Sequence, residues 1–131
     1  MPVRTDPLKA PTLAVYKQLS YESLITAWFI DGGWEVFHPV VDHIAKTDIL
    51  VADKQNHYRI QVKTLASADD DTRVENKWKG ANIDYVIYIS RSADWGYIVP
   101  AFTQRNKRLN APNHLKFSVN SSEFLSAFEK A

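Results

Sequence analysis

Cysteine is absent from this chain of 131 residues, and its absence excludes disulfides, thiolate metal sites and a cysteine nucleophile. No run approaches the roughly 18 apolar residues of a membrane span, and residues 1–12 lack the apolar segment of a signal peptide. Neither sign of charge dominates, since 16 Lys and Arg nearly balance 15 Asp and Glu. We therefore expect a soluble, cytoplasmic protein without membrane contact, whose partners the bulk charge does not identify.

What is present is typical of one folded domain, with 45% hydrophobic and 12% aromatic residues. The length suits one compact α/β domain and is too short for two ordinary ones. Residues 1–12 contain three prolines, which predicts an extended N-terminal arm ahead of a single domain over residues 13–131.

Hydrophobic patterning predicts helices at both ends of the domain and strands between them. Residues 13–30 lack Pro and Gly, and Asp31-Gly32-Gly33 ends this first helix. A second helix is predicted over 121–130, capped by Asn120 or Ser121. Strands are predicted at 34–37, 48–52, 58–65, 85–90, 97–99 and 116–119. Residues 101–109 are predicted as a short helix or loop, and residues 66–82 as a loop or short ribbon. This order indicates an α/β or α+β sheet with helices packed on it.

The most informative segment is residues 58–65, which alternates strictly between apolar and polar positions. Side chains two residues apart in a strand share one face, so Arg59, Gln61 and Lys63 lie together. Taken alone, this strand is most simply explained by a polar face turned to solvent. Asp48, which opens the preceding apolar strand, is expected to converge with that face, although an aspartate after Thr47 also suits a turn cap.

An acid also interrupts the apolar stripe of the first helix. At 100° per residue one side of that helix carries Val15, Leu19, Glu22, Thr26 and Phe29. Burying a carboxylate is costly unless it is paired or bound to a metal, so Glu22 is a candidate ligand. The alternative is that Glu22 reaches solvent from the edge of the stripe.

Together these side chains suit a divalent cation beside a phosphate. Asp48, Gln61 and Glu22 supply hard oxygen ligands, which Mg²⁺ prefers. Lys63 would orient or deprotonate a water, or neutralise charge building on the phosphate. The pattern therefore predicts phosphodiester hydrolysis, with Mn²⁺ able to replace Mg²⁺.

Two basic clusters are candidate phosphate contacts. Arg73, Lys77 and Lys79 surround Trp78, an aromatic suited to stacking on a base. Arg105, Lys107 and Arg108 form the second cluster. Solvated surface is an equally good reading of each. The residues His38, Asp42, His43 and His57 lack the spacing of a histidine metal site, and loop histidines are the better interpretation.

The ordered motifs resemble the PD-(D/E)XK nuclease superfamily, in which an acid is followed by a hairpin connection and then acid-x-Lys. Here the matching segments are TDILV at 47–51 and IQVKT at 60–64. Thr47 replaces the proline, a departure that many members share. Gln61 replaces the second acid, which resembles the branch of intron-encoded homing endonucleases and Holliday-junction-resolvase-like nucleases. In that branch an acid on the first helix completes the site, and Glu22 matches it. Gly33–Pro39, Asp84-Tyr85 and Tyr97–Pro100 extend the resemblance over residues 14–100.

The resemblance implies a restriction-endonuclease-like core, a mixed central sheet flanked by helices. It further implies a Mg²⁺-dependent DNA endonuclease in which Asp48, Gln61 and Glu22 hold the metal and Lys63 serves the attacking water and the phosphate. So small a domain is expected to form a homo-oligomer, a dimer or a tetramer. The alternative, favoured by Gln61, is a catalytically inactive module of the same fold that binds DNA or protein.

Overall fold

The computed structural model describes residues 2–41 and 46–131. Within them the chain forms two helices, a six-stranded sheet and a two-stranded ribbon. In chain order the elements are α1 (Ala10–Asp31), β1 (Glu35–Phe37), β2 (Ile49–Ala52), β3 (His57–Leu65), β4 (Arg73–Glu75), β5 (Tyr85–Ser90), β6 (Trp95–Pro100), β7 (Asn106–Arg108), β8 (Leu115–Ser118) and α2 (Ser121–Lys130).

The sheet is mixed, as predicted, and β3 lies near its middle. The strand order is β1-β2-β3-β5-β6-β8. β3 runs parallel to β5 and antiparallel to β2, and the remaining neighbours in this sheet are antiparallel. β5 is buried on both faces along most of its length, which explains why its sequence is apolar throughout.

Both helices pack on one face of this sheet. Asn120 begins α2 by accepting a hydrogen bond from the Glu123 N–H through its side chain. Gly33, at φ +88°, ends α1 in a conformation that favours glycine. The core between the helices and the sheet includes Ile25, Phe29, Phe124 and Phe128 from the helices and Ile49, Ile60, Val62 and Ile87 from the strands. Neither described helix combines the length and apolarity needed to cross a bilayer.

The buried face of α1 differs from the predicted stripe. Val15 and Leu19 are 57% and 53% exposed, whereas Ile25, Trp28 and Phe29 are buried. The apolar contact surface is therefore rotated from the predicted one by roughly 80°, at 100° per residue. Because Leu24 and Trp28 also carry apolar side chains, the sequence held two competing stripes, and packing selected the one that meets β3.

The opposite face of the sheet is covered by the ribbon of β4 and β7. The helical alternative for residues 101–109 is wrong, because residues 106–108 instead pair antiparallel with 73–75. Of the two alternatives for residues 66–82, the ribbon is therefore correct for its central part. Val74, Trp78, Phe102 and Leu109 form a second core there with Val86, Tyr88, Tyr97 and Val99 of the sheet.

Candidate active site at the divergence of two strands

The site begins where β2 and β3 stop pairing. The last pair in their register is Ile49 with Ile60, and Asp48 and Gln61 are the next residues along the two strands. The Asp48 N–H still donates to the Ile60 carbonyl at 2.9 Å. Beyond this point the Asp48 carboxylate replaces the backbone of β2 as a hydrogen-bond acceptor, since its Oδ2 accepts from the Val62 N–H at 2.8 Å. Asp48 is thereby held at the mouth of the gap between the strands.

Gln61 contributes an oxygen that the fold leaves without a partner. Its side chain is only 4% exposed. Within residues 2–41 and 46–131, Oε1 is the buried side-chain atom that accepts no hydrogen bond. An unsatisfied buried acceptor costs about 1–3 kcal/mol, so such atoms are rare unless they serve a ligand. The amide oxygen of Gln61 is a suitable ligand for a hard cation, as are the carboxylates of Asp48 and Glu22.

Lys63 follows Gln61 on the same strand face. In the parallel register it lies beside Tyr88 of β5. A cleft of about 330 Å³ lies between the sheet and the ribbon, and its lining includes Lys63, Arg73, Glu75, Lys77 and Tyr88. Burial raises the pKa of the Tyr88 phenol above its ordinary value, so Tyr88 is a neutral wall of this cleft at physiological pH. Three cations on one cleft make it attractive to phosphate.

Glu22 lies on α1 at the boundary between the packed and the exposed parts of the helix. Its side chain is partly buried, and its carbonyl accepts a hydrogen bond from Thr26 Oγ1 at 2.8 Å. No group of three or more His, Asp or Glu side chains gathers among the described residues. Acidic and histidine side chains alone therefore do not form a three-ligand cation site in the described part of the chain.

Gln18 is a contact that the sequence reasoning missed. Its Nε2 donates to the Val62 carbonyl at 3.1 Å, and its Oε1 accepts from Thr64 Oγ1 at 3.3 Å. Gln18, Glu22, Ile25 and Phe29 share one side of α1, at intervals of three or four residues. The correct stripe would have revealed that position.

The ribbon brings the two basic clusters together, although they are about thirty residues apart in the sequence. Arg73 stands directly opposite Arg108. Arg73 Nη1 also donates to Asn106 Oδ1 at 2.6 Å, which fixes its direction. Lys77, Lys79 and Arg105 are exposed, whereas Lys107 Nζ lies 5.7 Å from the Phe102 ring centroid and packs inward.

Trp78 corrects one expectation for this surface. Its ring is 4% exposed and packs edge-on against Phe102, with centroids 4.9 Å apart. The indole N–H donates to the Phe102 carbonyl at 3.3 Å. A ring held in this way belongs to the core under the ribbon, so it has no free face for stacking on a base.

The sequence predicts loop positions, and no metal site, for His38, Asp42, His43 and His57. His38 and His57 are both exposed. His38 directly follows β1, and His57 is the first residue of β3. Asp42 and His43 lie outside the described residues. The loop interpretation fits His38, which follows β1, and is wrong for His57, which begins β3.

The mixed sheet flanked by helices is the predicted fold, and a solved structure shares it. The chain is similar to the bacterial homing endonuclease I-Ssp6803I, with a TM-score of 0.59, 15% sequence identity, and coverage of 87% of this chain and 89% of that one. It also matches Hjc, a Holliday junction resolvase of the archaeal hyperthermophile Archaeoglobus fulgidus, with a TM-score of 0.48, 15% identity and coverage of 83% and 88%. At such identities the likeness to I-Ssp6803I establishes the fold alone. Neither a protein-family model nor a curated protein matches the chain.

Proposed function

We propose that this protein is a Mg²⁺-dependent endonuclease that hydrolyses phosphodiester bonds in DNA. The observation that carries the proposal is the buried, unpartnered Oε1 of Gln61. Gln61 and Asp48 lie just beyond the last β2–β3 pair, and Lys63 is two residues further along β3. A fold maintained only for binding gains nothing from a buried oxygen that lowers its stability. A nuclease gains a metal ligand.

The residues divide the chemical work by their charges. Asp48, Gln61 and Glu22 would hold the cation, and the two carboxylates would balance its two positive charges. When bound, Mg²⁺ supplies a Lewis acid for the phosphate and lowers the pKa of a bound water. Lys63 donates hydrogen bonds from its ammonium group, which orients the attacking water and stabilises the negative charge that builds on the phosphate oxygens.

DNA as the substrate is supported by the cleft and by the ribbon beside it. Lys63 shares the cleft with Arg73 and Lys77, and the exposed cations Lys79, Arg105 and Arg108 lie on or near the ribbon. Such cations bind phosphates without reading sequence. The structural neighbour I-Ssp6803I is a homing endonuclease, which agrees with this substrate class.

We also propose that the protein works as a homo-oligomer, a dimer or a tetramer. The first half of α1 exposes the apolar side chains of Leu13, Val15, Tyr16 and Leu19. A second copy that covers them would double the DNA contacts and allow both strands to be cut.

The proposal is tested by metal-dependent nicking of supercoiled plasmid. The wild-type protein is expected to nick with Mg²⁺ or Mn²⁺ and to stop when EDTA is added. Asp48→Asn keeps an acceptor for the Val62 N–H but removes the charge, so the fold should persist while cleavage falls on the order of 100-fold or more. Wild-type protein that binds DNA without any metal-dependent nicking would overturn the proposal in favour of the inactive binding module.

A further inference from the structure

We propose that Gln18 is a positioning residue that holds the Lys63 segment of β3 in register with the cation ligands. The inference rests on the proposed nuclease function. Gln18 contacts Val62 through Nε2 and Thr64 through Oε1, the two residues that flank Lys63. Gln18 lies one helical turn before Glu22. The same helix would therefore carry a cation ligand, Glu22, and the clamp, Gln18, which fixes the position of Lys63.

The geometry follows from the loss of a partner strand. In an antiparallel pair, a hydrogen-bonded residue uses its N–H and its C=O on the same edge. β2 ends its pairing at Ile49, so both groups of Val62 face the gap that β2 leaves. The Asp48 carboxylate accepts from the N–H at 2.8 Å, and the Gln18 amide donates to the C=O at 3.1 Å. Two side chains thus replace the missing strand.

The position of Gln18 along α1 shows why a polar clamp is needed there. Hydrophobic packing fixes the second half of the helix through Ile25, Trp28 and Phe29. It does not reach the first half, where Val15 and Leu19 are exposed. Gln18 therefore extends the attachment of α1 towards the end of β3 that bears Lys63, and a shift of about 1 Å in a reacting group can cost about 100-fold in rate.

The test compares Gln18→Met, which keeps the length of the side chain without the amide, with Thr64→Val, which removes only the weaker contact. Lys17→Ala, at the adjacent exposed position, is the matched control. We expect Gln18→Met to lower kcat roughly 10- to 100-fold while the Kd for DNA, measured in EDTA, changes less than about twofold. Thr64→Val should show a smaller loss of kcat, and Lys17→Ala should match the wild type.

Two readouts do not depend on turnover. Gln18→Met should weaken Mn²⁺ binding, measured calorimetrically, by roughly tenfold. It should also speed hydrogen exchange at the Val62 amide relative to Ile87 in the neighbouring strand. If Gln18 only attached the helix, the thermal midpoint would fall while kcat and Mn²⁺ affinity stayed within about twofold of the wild type, and that result would overturn the inference.

The two proposals fail in different ways. Wild-type protein that binds Mn²⁺ but never cuts would reject the nuclease function, while a loss of Mn²⁺ affinity in Gln18→Met would still support the clamp. Wild-type protein that cuts, together with a Gln18→Met variant of normal kcat, would reject only the clamp. Wild-type protein that neither binds Mn²⁺ nor cuts would reject both.

Discussion

The two faces of β3 are built on opposite principles. Ile60 and Val62 face the helices and pack in a core of apolar side chains whose burial stabilises the fold. Gln61 and Lys63 face the other way, where one buried oxygen lacks a partner and a cation lines an open cleft. Such local conflicts with folding rules are expected at functional sites. If the proposed function is right, one strand carries stabilising residues on one face and catalytic residues on the other, because its side chains alternate.

The largest effect should come from changing one residue on each face. Lys63→Ala is expected to lower cleavage on the order of 100-fold or more, because in the proposed mechanism the ammonium acts on the phosphate and the water. Its Mn²⁺ affinity and its free energy of unfolding should change little. Ile60→Ala, three residues away on the fully buried face, should instead lose about 2–5 kcal/mol of unfolding free energy. Denaturant titration beside the nicking assay measures both.

Metal affinity that collapses in Lys63→Ala, with turnover retained at saturating metal, would contradict the assigned roles. A Lys63→Ala protein as unstable as Ile60→Ala would remove the separation of the two faces.

Sequence alone was sufficient for the elements whose patterns are local. The predicted ranges 48–52, 58–65 and 85–90 differ from β2, β3 and β5 by at most one residue at each end, because each is apolar or strictly alternating. α1 begins three residues earlier than predicted, at Ala10, because Pro11 is tolerated in the first turn of a helix. The candidate site residues Asp48, Gln61 and Lys63 could be selected from the sequence because they lie on the two strands of one hairpin, or directly before them.

Long-range pairing explains what sequence could not provide. Residues 106–108 form a strand only because 73–75 lie beside them, and no local signal reports that partner. Trp78 is buried for the same reason, under the ribbon rather than on its surface. Gln18 escaped notice since its contacts with Val62 and Thr64 depend on which side of α1 meets the sheet.

Gln61 sharpens the comparison, because removing its side-chain oxygen should raise the stability of the protein and lower its activity. Gln61→Leu keeps similar bulk and removes the unpartnered oxygen, so the free energy of unfolding should rise by about 1 kcal/mol. Metal affinity and cleavage should be lost together. Gln61→Glu keeps an oxygen and adds charge, so Mn²⁺ affinity should hold or rise and some activity should survive. Calorimetry with Mn²⁺ and the nicking assay separate the two variants.

If Gln61→Leu cuts plasmid as well as the wild type, Gln61 is not part of the site. If neither substitution changes a metal-independent DNA affinity and no protein cuts, the inactive binding module is the better description.

A smaller effect is expected on the ribbon side of the cleft. Replacing Arg73, Lys77 and Lys79 together by Ala should weaken DNA binding equally across sequences and flatten its dependence on salt, since phosphate contacts release counterions. The logarithm of the binding constant against the logarithm of salt concentration gives the slope. Replacing Lys9, Lys17 and Lys54, which are exposed elsewhere, is the matched control for net charge. An unchanged slope in the first triple variant would shift the DNA contacts to Arg105, Lys107 and Arg108.

The smallest effect concerns pH, and it too belongs to the ribbon side. His114 stacks on Phe102, and its Nδ1 lies 2.8 Å from the Leu109 carbonyl. Burial, and to a lesser degree the charge of Lys107, lowers the pKa of His114 below its ordinary value, although the Leu109 carbonyl opposes this shift. As the pH falls below about 6.5, the unfolded chain takes up this proton before the folded one does, so the free energy of unfolding decreases until the pH passes the folded pKa.

His114→Phe keeps the stacked ring and cannot titrate, so denaturant titrations between pH 5 and 8 should show a shallower loss of stability than the wild type. A His114→Phe profile parallel to that of the wild type would show that the acid sensitivity arises elsewhere.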